Sequence, residues 1–102
     1  METNKKYIVR GEKSGVLYGE IANRVGQEVT MTNVRQMWSW YGAAALPQLA
    51  LEGTNRPNDC KFTVTLDELT ILDCVEFIPC SEVAVKSLDS VKEWKADQTY
   101  DC

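Results

Sequence analysis

The feature that most constrains the fold of this chain is a long alternating stretch over residues 29–40. Val29 and Met31 alternate with threonines, which is the pattern of a strand that buries one face. Trp38 and Trp40 lie at the end of the stretch, and Tyr41 follows directly. Successive side chains of a strand point to opposite faces, so these three large rings cannot all enter one core. We therefore expect a long strand with at least one aromatic ring facing away from the main core.

Shorter apolar runs on both sides of that strand predict the rest of a sheet. Residues 6–10 and 16–21 are separated by a turn with two glycines, which indicates an antiparallel hairpin. Gly19, inside the second run, indicates a bulge or the close approach of another backbone. Residues 61–65 alternate as a further strand. Residues 69–78 form the most apolar run, and we expect it to lie centrally in the sheet.

Two short helices are predicted to pack on this sheet. Alanine and leucine dominate residues 43–51, and both are strong helix formers. Pro47 fits only in the first turn of a helix, so this helix should begin near Leu46. The second helix should follow Ser81, a good N-cap, because apolar residues then recur at helical spacing. Trp94 is expected to anchor the end of that helix to the core.

Size and composition fit one globular domain. The chain has 102 residues, of which 44% are hydrophobic and 25% are charged. We predict a single domain over residues 1–102, with an ordered core at about residues 6–94 and a polar tail over residues 95–102. The predicted class is α+β, a mostly antiparallel sheet of five or six strands with two short helices packed on it.

The charge and the missing residue types narrow the function. The net charge of -4 disfavours binding to a DNA or RNA polymer, which takes a basic surface. No apolar run is long enough to cross a membrane and no signal peptide is evident, so we expect a cytoplasmic protein with reduced cysteines. The chain has no histidine and no Cys-x-x-Cys pair. We therefore predict no metal, no other cofactor and no catalytic residue.

One local group of residues has the chemistry of a nucleotide site. Arg35 lies three positions before Trp38, with Asn33 and Trp40 close by. A guanidinium fork matches phosphate oxygens, and an aromatic face stacks on a base. Two plainer interpretations stay open, since the rings can simply fill the core and Arg35 can be a surface arginine paired with an acid.

A polar loop over residues 54–59 is the second candidate region. Loops that carry polar residues and a proline often face ligands. Arg56 lies in the loop and Lys61 follows it, so both cations can add to the positive surface around Arg35. Arg24 is a weaker candidate for the same surface.

The order of several short motifs resembles a family of small phage proteins. These motifs are Gly15-Val16, Gly19-Glu20, residues 28–35, Trp38-Ser39-Trp40, Gly42-Ala43, Leu49-Ala50, Gly53 and Cys60-Lys61-Phe62. Over roughly residues 6–94 the chain is similar to the Thoeris anti-defence signal sponges of the type first described, and to close relatives of unassigned function.

The resemblance implies a non-enzymatic phage protein that binds a cyclic nucleotide immune messenger and keeps it from the host effector. The messenger would be a cyclic ADP-ribose isomer from a TIR-domain enzyme, or a cyclic oligonucleotide of the kind used in CBASS. Members assemble as dimers or larger oligomers with ligand pockets near subunit interfaces, so a homodimer or higher homo-oligomer is expected. Such a ligand needs donors for pyrophosphate and a stacking face for adenine. The candidates are Arg35, Trp38, Trp40, Arg56 and Phe62.

A rival interpretation fits the same composition. A small acidic phage domain can inhibit a host protein by binding to it directly, with its negative charge imitating a nucleic acid. The two hypotheses differ in the partner, which is a small messenger in the first case and a protein surface in the second. Binding of intact nucleotide by the purified protein separates them.

Overall fold

The computed structural model of the protein describes residues 5–94. It contains six strands and two helices, so the predicted α+β class is confirmed. The elements in chain order are β1 (Lys6–Gly11), β2 (Val16–Val25), β3 (Glu28–Ser39), α1 (Leu46–Glu52), a 3₁₀ turn (Pro57–Asp59), β4 (Lys61–Phe62), β5 (Leu66–Ile71), β6 (Cys74–Pro79) and α2 (Glu82–Asp89).

The strand order makes the sheet curl. All pairings between these strands are antiparallel, and β6, β1, β2 and β3 lie side by side in that order. Strands β4 and β5 pair with successive parts of the outer edge of β3. Strands β5 and β6 therefore lie at opposite edges, yet only Leu72 and Asp73 separate them in the chain. Because two intervening residues span at most about 11 Å, the two edges converge.

The curl contradicts the prediction for residues 69–78. This run is not one central strand but parts of two edge strands, separated by Leu72 and Asp73. Ile71 and Cys74 are buried inside the curl, whereas Leu72 is 71% exposed. A run that is apolar on both faces is typical of a central strand. At the corner only Asp73 departs from the apolar pattern.

Other element bounds differ by a few residues from those expected. Strand β2 continues to Val25, beyond the predicted end at residue 21, because it pairs along its whole length with β3. Strand β4 has only two residues, where five were predicted. Helix α1 begins at Leu46 with Pro47 in its first turn, as predicted. The predicted N-cap of α2 is also confirmed, since the Oγ of Ser81 accepts the N–H of Ala84 at 3.0 Å.

Buried side chains form two cores, one on each face of the sheet. Strand β1 shows the division, because Ile8 belongs to one core and its neighbours to the other. The first core lies beneath the helices and includes Leu49 of α1 and Leu88 of α2. The second core fills the inside of the curl and consists of Tyr7, Val9, Leu17, Ile21, Val29, Met31, Val34, Ile71 and Cys74.

A bulge in β3 decides which of its side chains face which core. Asn33 and Val34 both lie opposite Gly19 of β2, so the bulge or close approach predicted at this glycine is confirmed. Asn33 adopts a φ of 47°, a left-handed conformation that asparagine tolerates. As a result Val34 joins the core inside the curl, while Arg35 turns toward the helix side.

Asp73 fixes the corner between β5 and β6. Its Oδ2 accepts the backbone N–H groups of Lys13 at 2.7 Å and Ser14 at 3.1 Å, and its Oδ1 accepts the Ser14 hydroxyl. These hydrogen bonds, the hydroxyl first, hold the pKa of Asp73 below its ordinary value. A carboxylate whose pKa is lower in the folded chain stabilises the fold above the unfolded value of about 4, and this stability is lost as the pH falls through the folded pKa.

Replacing Asp73 with asparagine is expected to lower the thermal unfolding temperature at neutral pH, because the charged acceptor of three hydrogen bonds is removed. The variant should also lose less stability than wild type as the pH is lowered below about 4. Thermal unfolding followed by circular dichroism across this range measures both effects. Asp67→Asn, an exposed acid on β5, is the matched control. An acid dependence identical to wild type would contradict this role of Asp73.

Candidate functional site

The seven residues predicted to bind a ligand do not form one site. The structure places them in the core, on a bulge, in a loop and at one surface cluster. Arg35, Phe62 and Trp40 pack with the core. Asn33 lies on the bulge and Arg56 lies in the polar loop. Trp38 and Lys61 each lie against Trp94 on the surface.

Arg35 is a core residue, which corrects its prediction as a phosphate-binding group. It is 7% exposed, and its guanidinium donates to the carbonyl oxygens of Val91 at 2.8 Å, Thr63 at 3.0 Å and Phe62 at 3.4 Å. Burial lowers the pKa of the guanidinium. The group therefore joins β3 to β4 and to the segment after α2, and its donors are directed at protein carbonyls.

Two of the aromatic side chains that were predicted to bind a ligand pack in or against the core. Phe62 is completely buried, and its ring lies 5.2 Å from the guanidinium carbon of Arg35. Trp40 is half-buried and packs against the core beneath the helices. These positions do not support the prediction that either ring stacks on a base. Phe62 has no face open to a ligand, and Trp40 packs against the core.

Arg56 and Asn33 are exposed, but their polar groups contact neighbouring side chains. The Nε of Arg56 pairs with Asp59 at 2.8 Å, and its guanidinium carbon lies 5.3 Å from the ring centre of Tyr41. The Nδ2 of Asn33 donates to Glu20 at 3.1 Å. Neither side chain touches Arg35, so the single positive surface expected around Arg35 is not formed.

Trp38, Trp94 and Lys61 form a surface that we call the aromatic platform. The two indoles stack with ring centres 6.0 Å apart and planes inclined by 20°. The Nζ of Lys61 lies 5.4 Å from the centre of the Trp94 ring. Trp38 is 63% exposed and Trp94 is 44% exposed. The expectation that one ring of β3 faces away from the core is confirmed by Trp38.

Trp94 is the member of the platform that sequence reasoning missed, and its prediction as a core anchor was wrong. Helix α2 ends at Asp89, so helical spacing no longer applies at Trp94. The backbone N–H of Trp94 instead donates to the carbonyl of Phe62 on β4 at 2.8 Å. This bond places the indole beside Trp38, because β3 and β4 pair at the same position.

The platform has the chemistry to hold a flat anionic ligand. An exposed aromatic face supplies about 1–3 kcal/mol for each stacked base. The Lys61 ammonium adds a positive charge that attracts phosphate. The side chains come from β3, β4 and the segment after α2, so their relative position depends on the folded chain.

A cavity lies elsewhere, between the turn after β2 and strand β6; we call it the Arg24 cavity. Its volume is about 590 Å³. The guanidinium carbon of Arg24 lies 5.5 Å from the ring centre of Phe77. No sequence motif joins these two residues, so the sequence alone does not point to this cavity. The lining consists of Arg24, Gly26, Gln27, Cys74, Val75, Glu76 and Phe77.

The cysteines and acids provide little chemistry for metal binding in the part of the chain that the structure describes. Cys60, Cys74 and Cys80 are buried free thiols. Burial raises the pKa of Cys80 to about 11 and also raises that of Cys74, so both are neutral thiols. Between residues 5 and 94, no three histidine, cysteine or acidic side chains are grouped to hold a metal.

No helix within residues 5–94 could cross a membrane.

Fold and surface together define a small α+β domain with a curled antiparallel sheet, helices on one face and an exposed aromatic platform. The chain belongs to a family described as a domain of unknown function, DUF6948, whose model matches residues 4–88. The match includes Trp38, Lys61 and the whole Arg24 cavity and ends before Trp94. No curated protein and no solved structure matches the chain significantly.

Proposed function

We propose that this protein binds and sequesters a cyclic nucleotide immune messenger, without degrading it, in the cytoplasm of a phage-infected bacterium. The observation that carries the proposal is the aromatic platform, where exposed Trp38 stacks on Trp94 beside the ammonium of Lys61. The resemblance of the chain to the Thoeris anti-defence signal sponges supplies the ligand class.

The platform suits a nucleotide for two physical reasons. The stacked indoles restrict each other, so Trp38 loses little conformational freedom when a base stacks on it. The positive charge of Lys61 is local, on a chain whose net charge is -4. A long anionic polymer is repelled by the whole surface, whereas a small ligand responds mainly to the nearby cation.

The affinity that a sponge needs exceeds what one platform supplies. A nanomolar dissociation constant corresponds to about 12 kcal/mol. One stacked base contributes about 1–3 kcal/mol, and one charged hydrogen bond contributes about 1.5–3 kcal/mol. We therefore propose a homodimer or higher homo-oligomer in which platforms of two subunits contact the same ligand.

Trp38→Ala is expected to weaken binding at least tenfold, which corresponds to about 1.4 kcal/mol. The fold should remain, because most of the Trp38 side chain is exposed. Titration calorimetry with cyclic ADP-ribose isomers and with cyclic di- and trinucleotides measures the effect. Leu51→Ala is the control, since Leu51 is 64% exposed on α1 and lies outside the platform. Ligand released by heat should be chemically unchanged in mass spectrometry.

Three outcomes would contradict parts of this proposal. Equal affinities of wild type and Trp38→Ala for the nucleotide would show that the platform is not the binding site. A hydrolysed ligand after release would indicate an enzyme. A monomer in sedimentation at micromolar concentration, with and without ligand, would contradict the proposed oligomer.

The second candidate function is direct inhibition of a host protein. The exposure of two tryptophans favours it, because tryptophan is enriched among the residues that dominate protein–protein binding energy. In that case no heat is released with any of the nucleotides. Trp38→Ala would then retain its fold and lose protection of the phage in an infection assay, whereas Leu51→Ala would protect as wild type does.

A further inference from the structure

We propose that the Arg24 cavity is a separate binding site for a small organic anion, a carboxylate or phosphate attached to a compact apolar body. The site does not depend on the proposed nucleotide function, since it shares no residue with the aromatic platform. The argument rests on the shape of the cavity, the unneutralised charge of Arg24 and the apolar wall opposite it.

The cavity has the size of a ligand site. Its volume of about 590 Å³ lies within the range of about 300–1,000 Å³ that is usual for small-molecule pockets. One wall is the end of β2 and the following turn, and the other is β6. The walls are tied together where the backbone N–H of Cys74 donates to the carbonyl of Gln27 at 3.0 Å. Gly26, in the turn, has no atom within 4 Å of the position that a Cβ would take.

Arg24 is held in position but keeps its charge for a ligand. Its Nε donates to the carbonyl of Gly26 at 3.0 Å, and its guanidinium lies over Phe77. Glu76 also lines the cavity, yet its carboxylate pairs with Arg10 at 2.7 Å. Within residues 5–94, Arg24 has no carboxylate partner of its own. Its guanidinium fork therefore suits the two oxygens of a carboxylate or phosphate.

The remaining lining is suited to an uncharged, compact body. Phe77 and Val75 contribute apolar surface. The thiol of Cys74 donates to the carbonyl of Glu76 at 3.5 Å, and burial keeps it neutral. A ligand with one charged end and one apolar end satisfies both parts of the cavity, whereas a bare ion uses only Arg24.

The proposal is tested by following backbone amide resonances in two-dimensional NMR while phenyl phosphate, benzoate, inorganic phosphate or neutral benzyl alcohol is added. We expect phenyl phosphate or benzoate to shift the amides of residues 24–27 and 74–77, and the stronger of the two identifies the preferred oxyanion. Arg24→Gln should weaken this binding at least tenfold. Arg24→Lys keeps the charge but loses the guanidinium fork, so it should also weaken binding of the probe. It replaces Arg24→Gln as the test if the glutamine variant fails to fold.

Arg56→Gln is the matched control, because Arg56 is an exposed arginine outside the cavity, and it should bind the probes as wild type does. Unchanged binding by both Arg24 variants would overturn the proposal. So would shifts confined to the platform, equal binding of benzyl alcohol, or no shift with any probe. Inorganic phosphate bound as tightly as phenyl phosphate would overturn the apolar part of the predicted ligand.

Discussion

Replacing Arg35 with alanine is expected to lower the free energy of unfolding by about 3–5 kcal/mol, because each buried polar group left without a partner costs about 1–3 kcal/mol. The substitution removes the donors to the carbonyls of Thr63, Val91 and Phe62. A domain of this size has a total stability of about 5–15 kcal/mol, so the loss is a large part of it. Arg35→Ala should therefore unfold at a much lower denaturant concentration than wild type.

Urea unfolding followed by circular dichroism measures this difference. Arg10→Ala is the matched control, since Arg10 pairs with Glu76 on the surface and such pairs contribute within about 1 kcal/mol. The sequence analysis placed Arg35 among the candidate ligand-binding residues, a role in which its loss would weaken ligand binding and leave the fold intact. If Arg35→Ala unfolds at the wild-type midpoint, the buried guanidinium does not hold the domain together.

Gly19→Ala is expected to lower the free energy of unfolding by about 3 kcal/mol, because the added methyl group is forced into space that is already occupied. A Cβ at this position would lie 2.8 Å from the Cα of Val34 and 2.9 Å from the carbonyl oxygen of Asn33. Both are backbone atoms of β3, so no side-chain rotation relieves the clash. The alanine variant must either straighten the bulge or separate β2 from β3.

Gly26→Asn is the control for Gly19→Ala. Gly26 has a φ of 60° and open space around it, and asparagine tolerates this conformation. Its unfolding midpoint should stay close to that of wild type, while that of Gly19→Ala falls. Equal midpoints for Gly19→Ala and wild type would show that the two strands separate without cost at this position.

The elements of the fold could be predicted because each depends on neighbours in the chain. Alternation predicted β3, an internal glycine predicted the close approach at Gly19, and Ser81 predicted the start of α2. The corner at Asp73 could not be predicted, because it is held by hydrogen bonds to Lys13 and Ser14, far away in sequence. The residues of the apolar run do not indicate which distant residues Asp73 will bind.

The candidate site was predictable only in part, and for the same reason. Exposure of one aromatic ring followed from the alternation, and Trp38 is that ring. The burial of Arg35 was not predictable, since the carbonyls that need its donors belong to Thr63, just after β4, and to Val91, after α2. The place of Trp94 depends on its bond to Phe62, and the Arg24 cavity depends on the curl that brings β6 to the turn after β2.

The pairing of β6 with β1 has a consequence for synthesis on the ribosome. Strands β1, β2 and β3 are consecutive and can pair as they emerge. Strand β1, however, completes its pairing only with β6, where Arg10 and Glu76 are 66 positions apart. Contacts of such long sequence separation form slowly. A nascent chain that stops before β6 therefore carries an open strand edge, which is a template for aggregation until the last third of the chain is made.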